Sequence, residues 1–261
     1  MTRHKTTPAV ILDWAGTTVD YGCFAPVEAF RKAFAYFRIE PTIAETRAPM
    51  GIEKRAHIAQ MLEGDRLSDL WEDEHGYPPT SQDCDRVNAR FEPALFEALP
   101  EHADLLPGVL EALTEIRSRG IAIGSSTGYT REMMEIVTPL AKERGYEPDC
   151  LVCPEEVRSG RPAPYMIWRN LEKLGIGSIE GVVKVGDTAA DMQEGRNAGC
   201  ICVGIIEGSS MLGYSQDEWE RLDQNQQSKA SEKAMRNYHV AGADYIIKDF
   251  SQLPDLLDSL I

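Results

Sequence analysis

The stretch Val10-Ile11-Leu12-Asp13-Trp14-Ala15-Gly16-Thr17-Thr18 joins a short apolar run to a carboxylate and a Gly-Thr-Thr turn. The apolar run predicts a buried strand, so that Asp13 stands at its carboxyl end, where ligands of parallel α/β sheets bind. A carboxylate in that position is suited to attack a phosphoryl group. Two residues after Asp13 the chain carries Ala15, a small apolar residue. Asp13 is therefore the candidate nucleophile, with no second acid beside it.

Composition excludes several classes of protein. The chain has 261 residues, of which 43% are hydrophobic, and a formal net charge of −15. This charge argues against nucleic-acid binding, which demands an excess of Lys and Arg. No stretch approaches the roughly 18 apolar residues of a membrane span, and the residues before the first strand leave no room for a signal peptide. Six cysteines without a disulfide framework indicate the reducing cytoplasm.

Short apolar runs alternate with amphipathic stretches along most of the chain, which predicts a parallel sheet flanked by helices. The predicted strands are Val10–Leu12, Ile121–Ile123, Leu151–Val152, Val182–Val185, Cys202–Ile206 and Tyr245–Ile247. The predicted helices between them are Val109–Arg119, Arg131–Arg144, Tyr165–Leu174 and Ala190–Ala198. The polar segment 208–242 is expected to form surface helices and loop. The fold class is therefore α/β, with a Rossmann-like core.

One segment breaks the alternation. From about Phe24 to Pro100 the apolar residues recur at helical spacing and no convincing strand interrupts them. An all-helical block inserted after the first strand predicts a cap domain. We expect a core domain of residues 1–22 and 101–261 and a helical cap domain of residues 23–100.

Four polar clusters follow predicted strands of the core. They are Asp13 with its Gly-Thr-Thr turn, Ser126-Thr127-Gly128, the segment Gly160–Pro164 with Arg161, and Gly186–Asp191 with its two carboxylates. Each alone has a structural alternative, because an Asp that closes a strand often caps a turn or helix. Together they supply a nucleophile, phosphoryl-oxygen donors, a cation and an acidic pair for a divalent ion. The combination predicts a phosphoryl-transfer site.

This set and its order resemble the haloacid dehalogenase superfamily along nearly the whole chain. Longer strings are similar to its phosphonoacetaldehyde hydrolase (phosphonatase) family: 13–22 (DWAGTTVDYG), 49–51 (PMG) with Lys54, 126–134 (STGYTREMM), and 184–188 (KVGDT) continuing to Gly199. Most members of the superfamily carry a general acid where this chain has Ala15. Arg161 stands where a lysine is common, a departure that phosphonatases share.

The resemblance implies a role for each core residue. Asp13 attacks phosphorus and becomes an aspartyl phosphate that water hydrolyses, and Mg²⁺ assists. The implied Mg²⁺ ligands are Asp13, the backbone carbonyl of Ala15 and Asp187, with Asp191 nearby or acting through water. The implied phosphoryl-binding residues are Thr127, Gly128 and Arg161.

The implied substrate, phosphonoacetaldehyde, explains why Ala15 replaces the acid. Its leaving atom is carbon, so an acid would find no oxygen to protonate. Carbon departs only if an electron sink accepts the C–P electron pair, and an amine provides one by condensing with the aldehyde to a protonated imine. The cap offers Lys54 for this imine. The amine must be neutral to attack, whereas the pKa of a free lysine is about 10.4, and we expect burial to lower it.

Other cap residues complete the implied pocket. His57 lies one helical turn from Lys54 and assists proton transfer, with a packed structural histidine as the alternative. Met50 and Gly51 line the pocket, and Gly51 permits close approach of the backbone. Cys23 either touches the pocket or is a buried thiol without a chemical role.

Three functions follow as alternatives. The first is Mg²⁺-dependent hydrolysis of phosphonoacetaldehyde to acetaldehyde and phosphate. The second, a phosphatase or phosphomutase acting on a small phosphate ester, requires an acid at position 15. The third, a non-catalytic protein on a decayed scaffold, conflicts with the presence of Asp13, Thr127 and Asp187. The resemblance also implies a homodimer, for which the aromatic run 30–37 supplies an interface or, alternatively, the core of the cap.

Overall fold

The computed structural model describes residues 9–50 and 54–260 and divides into two compact units. One unit comprises Met1–Cys23 and Ala103–Ile261, and the other comprises Phe24–His102. The strands are β1 (Ala9–Leu12), β2 (Ala122–Ser126), β3 (Cys150–Val152), β4 (Val182–Gly186), β5 (Ile201–Ile205) and β6 (Tyr245–Ile247). The α-helices of the larger unit are α6 (Val109–Ser118), α7 (Arg131–Glu143), α8 (Tyr165–Lys173), α9 (Ala189–Ala198), α10 (Gln216–Arg221), α11 (Gln224–Ala241) and α12 (Leu253–Leu260). Those of the smaller unit are α1 (Phe24–Ala35), α2 (Ile43–Arg47), α3 (Lys54–Glu63), α4 (Asp65–His75) and α5 (Ser81–Ala98).

The six strands form one parallel sheet in the order β3-β2-β1-β4-β5-β6. All six predicted strands are present, which confirms the α/β class. The central strand β1 is buried along its whole length, as its unbroken apolar run requires. Leu12 pairs with Ser125 on one side and with Val185 on the other. The carboxyl ends of β1, β2 and β4 therefore lie side by side.

Strand β2 extends three residues beyond its predicted end at Ile123. The added residues are Gly124, Ser125 and Ser126, which carry no apolar signal although both serines are fully buried. Their polar groups are paired inside the core: the Ser125 amide donates to Asn170 Oδ1 at 3.2 Å, and Ser125 Oγ donates to the Cys150 carbonyl at 3.2 Å. A satisfied serine can thus occupy a central strand that hydropathy alone does not reveal.

The predicted core helices begin and end within one residue of the observed ones. Helix α8 packs on β2 and β3, and α9 packs on β4 and β5. The polar segment 208–242 forms α10 and α11, as expected. Tyr238 of α11 nevertheless reaches the sheet: its buried hydroxyl donates to the Ile205 carbonyl at 2.6 Å and lies 3.1 Å from the Asp187 carbonyl.

The smaller unit contains helices and no strand among its described residues. Its main packing is between α1 and α5, with α3 against α5. Phe30 of α1 stacks on Phe91 of α5 with ring centroids 4.2 Å apart, and Phe34 is also fully buried. Tyr36, by contrast, is 61% exposed. Most of the aromatic run thus packs inside this unit.

No helix within the described ranges is long and apolar enough to cross a membrane.

Candidate active site

Three predicted site residues of the larger unit follow neighbouring strands. Asp13 comes directly after β1, Thr127 after β2 and Asp187 after β4. The Asp13 amide still donates to the Val185 carbonyl at 3.0 Å, so that its backbone prolongs the pairing of β1 with β4. All three side chains are buried. The sheet therefore brings the candidate nucleophile, a hydroxyl and a second carboxylate to one edge, as the sequence predicts.

The turn after Asp13 is closed by its own backbone. The amides of Thr17 and Thr18 donate to the Trp14 carbonyl at 3.0 and 2.8 Å, and the Thr18 hydroxyl donates to the Asp13 carbonyl at 2.9 Å. Gly16 has a φ of 79°, and a Cβ atom there would collide with the Asp187 carboxylate. The glycine therefore allows the turn to approach Asp187 closely.

Arg161 joins the nucleophile to the rest of the site. Its Nη2 lies 2.6 Å from Asp13 Oδ1 and donates to the Ser126 carbonyl at 2.8 Å. Its Nη1 lies 2.9 Å from Asp191 Oδ1 and its Nε lies 3.0 Å from Glu194 Oε2. Burial raises the pKa of Asp13, although Arg161 opposes that rise. Four residues thus hold the guanidinium, and one of its nitrogens points at the nucleophile.

Asp13, Asp187 and Asp191 form a cluster whose ligand oxygens lie within 4.8 Å of one another. Asp187 Oδ2 accepts the Ser210 amide at 2.8 Å, whereas its buried Oδ1 has no hydrogen-bond partner among the described residues. Burial raises the pKa of Asp187 well above its ordinary value, and repulsion by Asp13 and Asp191 adds to the rise. Oxygen donors with excess negative charge fit a hard divalent cation. These residues can therefore hold one.

Asp191 has a different environment from Asp187. Its Oδ2 accepts the amide and hydroxyl of Thr188 at 3.2 and 2.6 Å in a capping box at the start of α9. Its Oδ1 lies 2.9 Å from both Arg161 Nη1 and Lys184 Nζ. Burial would raise the pKa of Asp191, yet these two cations outweigh it and lower the pKa. Protein donors and cations thus engage both oxygens of Asp191.

Thr127 and Gly128 form the turn after β2. The buried Thr127 Oγ accepts the Tyr129 amide at 3.0 Å, which leaves its hydroxyl proton for another acceptor. Gly128 is exposed. The Tyr129 hydroxyl is buried with no hydrogen-bond partner in the described ranges, and burial raises its pKa well above 10.0. The turn therefore offers donors beside the acidic cluster.

Sequence reasoning assigned no role to three members of this site, namely Ser126, Lys184 and Glu194, although each lies within a stretch that it singled out. The signal for Lys184 was available: it interrupts the apolar run 182–185, and a lysine in a buried strand must find anionic partners. Ser126 belongs to the predicted polar cluster after β2, but neither Ser126 nor Glu194 gave a sign of burial, because serines and helical glutamates are mostly exposed.

In the smaller unit, Lys54 begins α3 and His57 lies one turn later on the same helix. Both approach Phe30: the Lys54 Nζ lies 6.0 Å from its ring centroid, and the His57 ring stacks on it at 3.9 Å. Met50 is half-buried, and its amide donates to the Arg47 carbonyl at 3.0 Å. Gly51 lies outside the described residues.

The hydrogen bond of His57 fixes its tautomer. His57 Nε2 lies 2.8 Å from the Thr46 carbonyl oxygen, which only accepts, so Nε2 carries the proton. Nδ1 is therefore the lone-pair nitrogen, and it is buried without a hydrogen-bond partner among the described residues. Burial, and to a lesser extent the charge of Lys54, lower the pKa of His57 to about 3, although the Thr46 carbonyl opposes the shift. His57 is thus a neutral imidazole near pH 7.

Protonation of His57 should make the protein less stable in acid. The unfolded chain takes up this proton near pH 6.5, whereas the folded protein resists it until about pH 3, so stability falls as the pH falls through this window. Between pH 7 and pH 5 the free energy of unfolding should fall about 2 kcal/mol further in the unsubstituted protein than in His57→Gln. Urea denaturation at both pH values measures the difference.

The exposed His239 on α11 provides a matched control, because His239→Gln should retain the full loss of stability in acid. An equal loss in His57→Gln and in the unsubstituted protein would contradict the neutral, buried imidazole.

Comparison with known proteins shows the family of the chain. Residues 7–199 match the family model of the haloacid dehalogenase-like hydrolases. The phosphonoacetaldehyde hydrolase of Bacillus cytotoxicus is 46% identical over 250 residues, which cover 96% of this chain and 95% of that protein. A bifunctional phosphonoacetaldehyde hydrolase/aminoethylphosphonate transaminase of Clostridioides difficile is also 46% identical, over 95% of this chain, which spans only 39% of that longer protein.

A solved structure is similar over nearly its full length. The crystal structure of a phosphonoacetaldehyde hydrolase like protein from Oleispira antarctica superposes with a TM-score of 0.92 at 34% identity, covering 98% of this chain and 92% of that one. The chain therefore belongs to the haloacid dehalogenase-like hydrolases and, within them, to the phosphonoacetaldehyde hydrolase family.

Proposed function

We propose that this protein hydrolyses the carbon–phosphorus bond of phosphonoacetaldehyde to give acetaldehyde and phosphate. The observation that carries the proposal is the 46% identity to the Bacillus cytotoxicus phosphonoacetaldehyde hydrolase over nearly the whole of both chains. Ala15 supports it independently, because a phosphatase or phosphomutase acting on an ester would need an acid there.

The larger unit performs the phosphoryl transfer. Asp13 attacks phosphorus through a carboxylate oxygen and forms an aspartyl phosphate, and Arg161 neutralises negative charge on the transferring group. The Thr127 hydroxyl and the Gly128 amide donate to phosphoryl oxygens. Water then hydrolyses the aspartyl phosphate and regenerates Asp13.

The smaller unit supplies the electron sink. The Lys54 amine condenses with the aldehyde and releases water, which gives a protonated imine. When Asp13 bonds to phosphorus, the C–P bond breaks and its electron pair moves into the imine, so that the leaving group is an enamine. The enamine gains a proton on carbon, and water hydrolyses the resulting imine to acetaldehyde and free Lys54.

His57 moves protons for the Lys54 chemistry in this proposal. Its neutral Nδ1 lone pair can accept a proton from the attacking amine and return it to the departing water. Met50 and Gly51 are proposed to line the aldehyde pocket.

Mg²⁺ is the proposed metal because Asp13, Asp187 and a backbone carbonyl are the few hard oxygen donors that it prefers. The Ala15 carbonyl is proposed as that third donor, and Asp191 acts nearby or through water. When bound, Mg²⁺ would neutralise charge between the carboxylates and the phosphoryl oxygens.

A cytoplasmic homodimer is the proposed state of the protein. No disulfide forms within the described ranges, which contain all six cysteines, and this supports a reducing compartment. The exposed ring of Tyr36 supports an interface on the helical unit. Light scattering should give twice the chain mass of 29.0 kDa, and a monomer at all concentrations would contradict the dimer.

Product analysis tests the proposed function. The purified protein with Mg²⁺ and phosphonoacetaldehyde should release acetaldehyde and phosphate in equal amounts, and chelation of the metal should stop the release. A simple phosphate ester serves as the comparison substrate. Faster release of phosphate from the ester than from the phosphonate would contradict the proposal.

A further inference from the structure

Lys184 is a fully buried lysine in the middle of β4. Its Nζ lies 3.0 Å from Ser126 Oγ, 2.9 Å from Asp191 Oδ1 and 3.3 Å from Glu194 Oε2. A buried ammonium without such partners would be strongly destabilising. The lysine therefore belongs to the charged site rather than to the apolar core of the strand.

Glu194 is equally buried and lies on α9. Its Oε2 receives the Ser126 hydroxyl at 2.9 Å and Arg161 Nε at 3.0 Å, in addition to the contact with Lys184. Glu194 is thus the acceptor for Nε of the Arg161 guanidinium. With Nε held there, Nη2 reaches Asp13 and Nη1 reaches Asp191.

The same residues set the charge of the site. With every member ionised, four carboxylates face two cations, which leaves an excess of two negative charges. The carboxylates are Asp13, Asp187, Asp191 and Glu194, and the cations are Arg161 and Lys184. One divalent cation neutralises that excess. A neutral residue in place of either Lys184 or Glu194 would change this excess of negative charge by one. Neutral residues in place of both would leave it at two.

We propose that Lys184 and Glu194 are positioning residues, which hold Arg161 on Asp13 and keep the site at the charge that one divalent cation neutralises. The inference rests on the proposed phosphoryl transfer and metal site, and extends them to two residues that need not touch substrate or metal.

Titration of the metal-free protein with Mg²⁺ in a calorimeter tests the charge argument without any turnover. Glu194→Gln removes one negative charge and should weaken Mg²⁺ binding by about 10-fold or more. Lys184→Met adds to the excess and should bind Mg²⁺ more tightly than Glu194→Gln. The double variant restores the charge and should lie between the two. An exposed pair in the same unit, Lys142 and Glu147 at 2.7 Å, gives matched control variants that should not change Mg²⁺ binding.

The order of the Mg²⁺ dissociation constants of these variants tests the charge role of Lys184 and Glu194. If Lys184→Met binds Mg²⁺ no more tightly than Glu194→Gln, the charge role is wrong. If Lys184→Met does not fold, the double variant is compared with Glu194→Gln, and it must bind Mg²⁺ more tightly. If the loss of Lys184 caused only a structural defect, the double variant would bind Mg²⁺ more weakly than Glu194→Gln.

Turnover tests the positioning role separately. Glu194→Gln should lower kcat by about 10- to 100-fold with little change in KM, while borohydride still traps the Lys54 imine at the unsubstituted rate. An equal loss of imine trapping and kcat would overturn the positioning role. If the variants bind Mg²⁺ in the expected order of affinity but the unsubstituted protein releases no acetaldehyde, the charge role is supported and the proposed function is contradicted.

Discussion

Asp13→Asn should lower kcat on phosphonoacetaldehyde by on the order of 10⁴-fold, because the amide cannot attack phosphorus. The substitution keeps the shape of the side chain, so the protein should still fold. It removes the carboxylate that lies 2.6 Å from Arg161 Nη2, which is also one of the three carboxylates of the acidic cluster. Release of acetaldehyde in a single-turnover assay measures the effect.

Asp104→Asn is the matched control for this change. Asp104 is also paired with an arginine at 2.6 Å, namely Arg144, but its side chain is 79% exposed and lies outside the site. An exposed ion pair contributes little to stability. The control should therefore retain full kcat. Activity of Asp13→Asn within 10-fold of that control would show that another group attacks phosphorus.

Lys54→Arg should abolish C–P cleavage, with a loss of roughly 10³-fold or more in kcat. Arginine keeps the positive charge at the start of α3, yet its guanidinium stays protonated and does not condense with an aldehyde. Without the imine, the C–P electron pair has no acceptor, and Asp13 alone cannot displace carbon from phosphorus. The measurement is acetaldehyde release with each variant at saturating substrate.

The exposed Lys32 on α1 provides the matched control, since Lys32→Arg makes the same change in the same unit. It should leave kcat unchanged. Retention of kcat in Lys54→Arg would contradict the imine, whereas equal losses in both variants would point to damage to the helical unit.

The sheet was predictable because its central strands β1 and β4 are buried along their whole length and therefore read as nearly continuous apolar runs. Parallel strands end at one edge, so the predicted strand ends also placed Asp13, Thr127 and Asp187 together. The prediction failed at the end of β2, where small polar residues satisfy their hydrogen bonds inside the core. Hydropathy reflects the polarity of Ser125, but it contains no information on the hydrogen-bond partners that Ser125 finds in the folded core.

The charged network was harder to read for a related reason. Lys184 stood out within its apolar run, but its partner Glu194 lies on a helix whose buried side depends on the packing of α9 against β4 and β5. The tautomer of His57 likewise depends on a carbonyl 11 residues away, that of Thr46. Contacts between elements determine these features, and a single sequence carries no direct record of them.

Borohydride reduction followed by peptide mass spectrometry tests most directly whether Lys54 supplies the electron sink and Asp13 the nucleophile. With phosphonoacetaldehyde, the unsubstituted protein should yield Lys54 bearing an ethyl group, because cleavage precedes reduction. Asp13→Asn should yield Lys54 bearing a phosphonoethyl group, because the imine forms and phosphorus stays attached. A Lys54 peptide without either adduct, in a protein that still releases acetaldehyde, would contradict the claim.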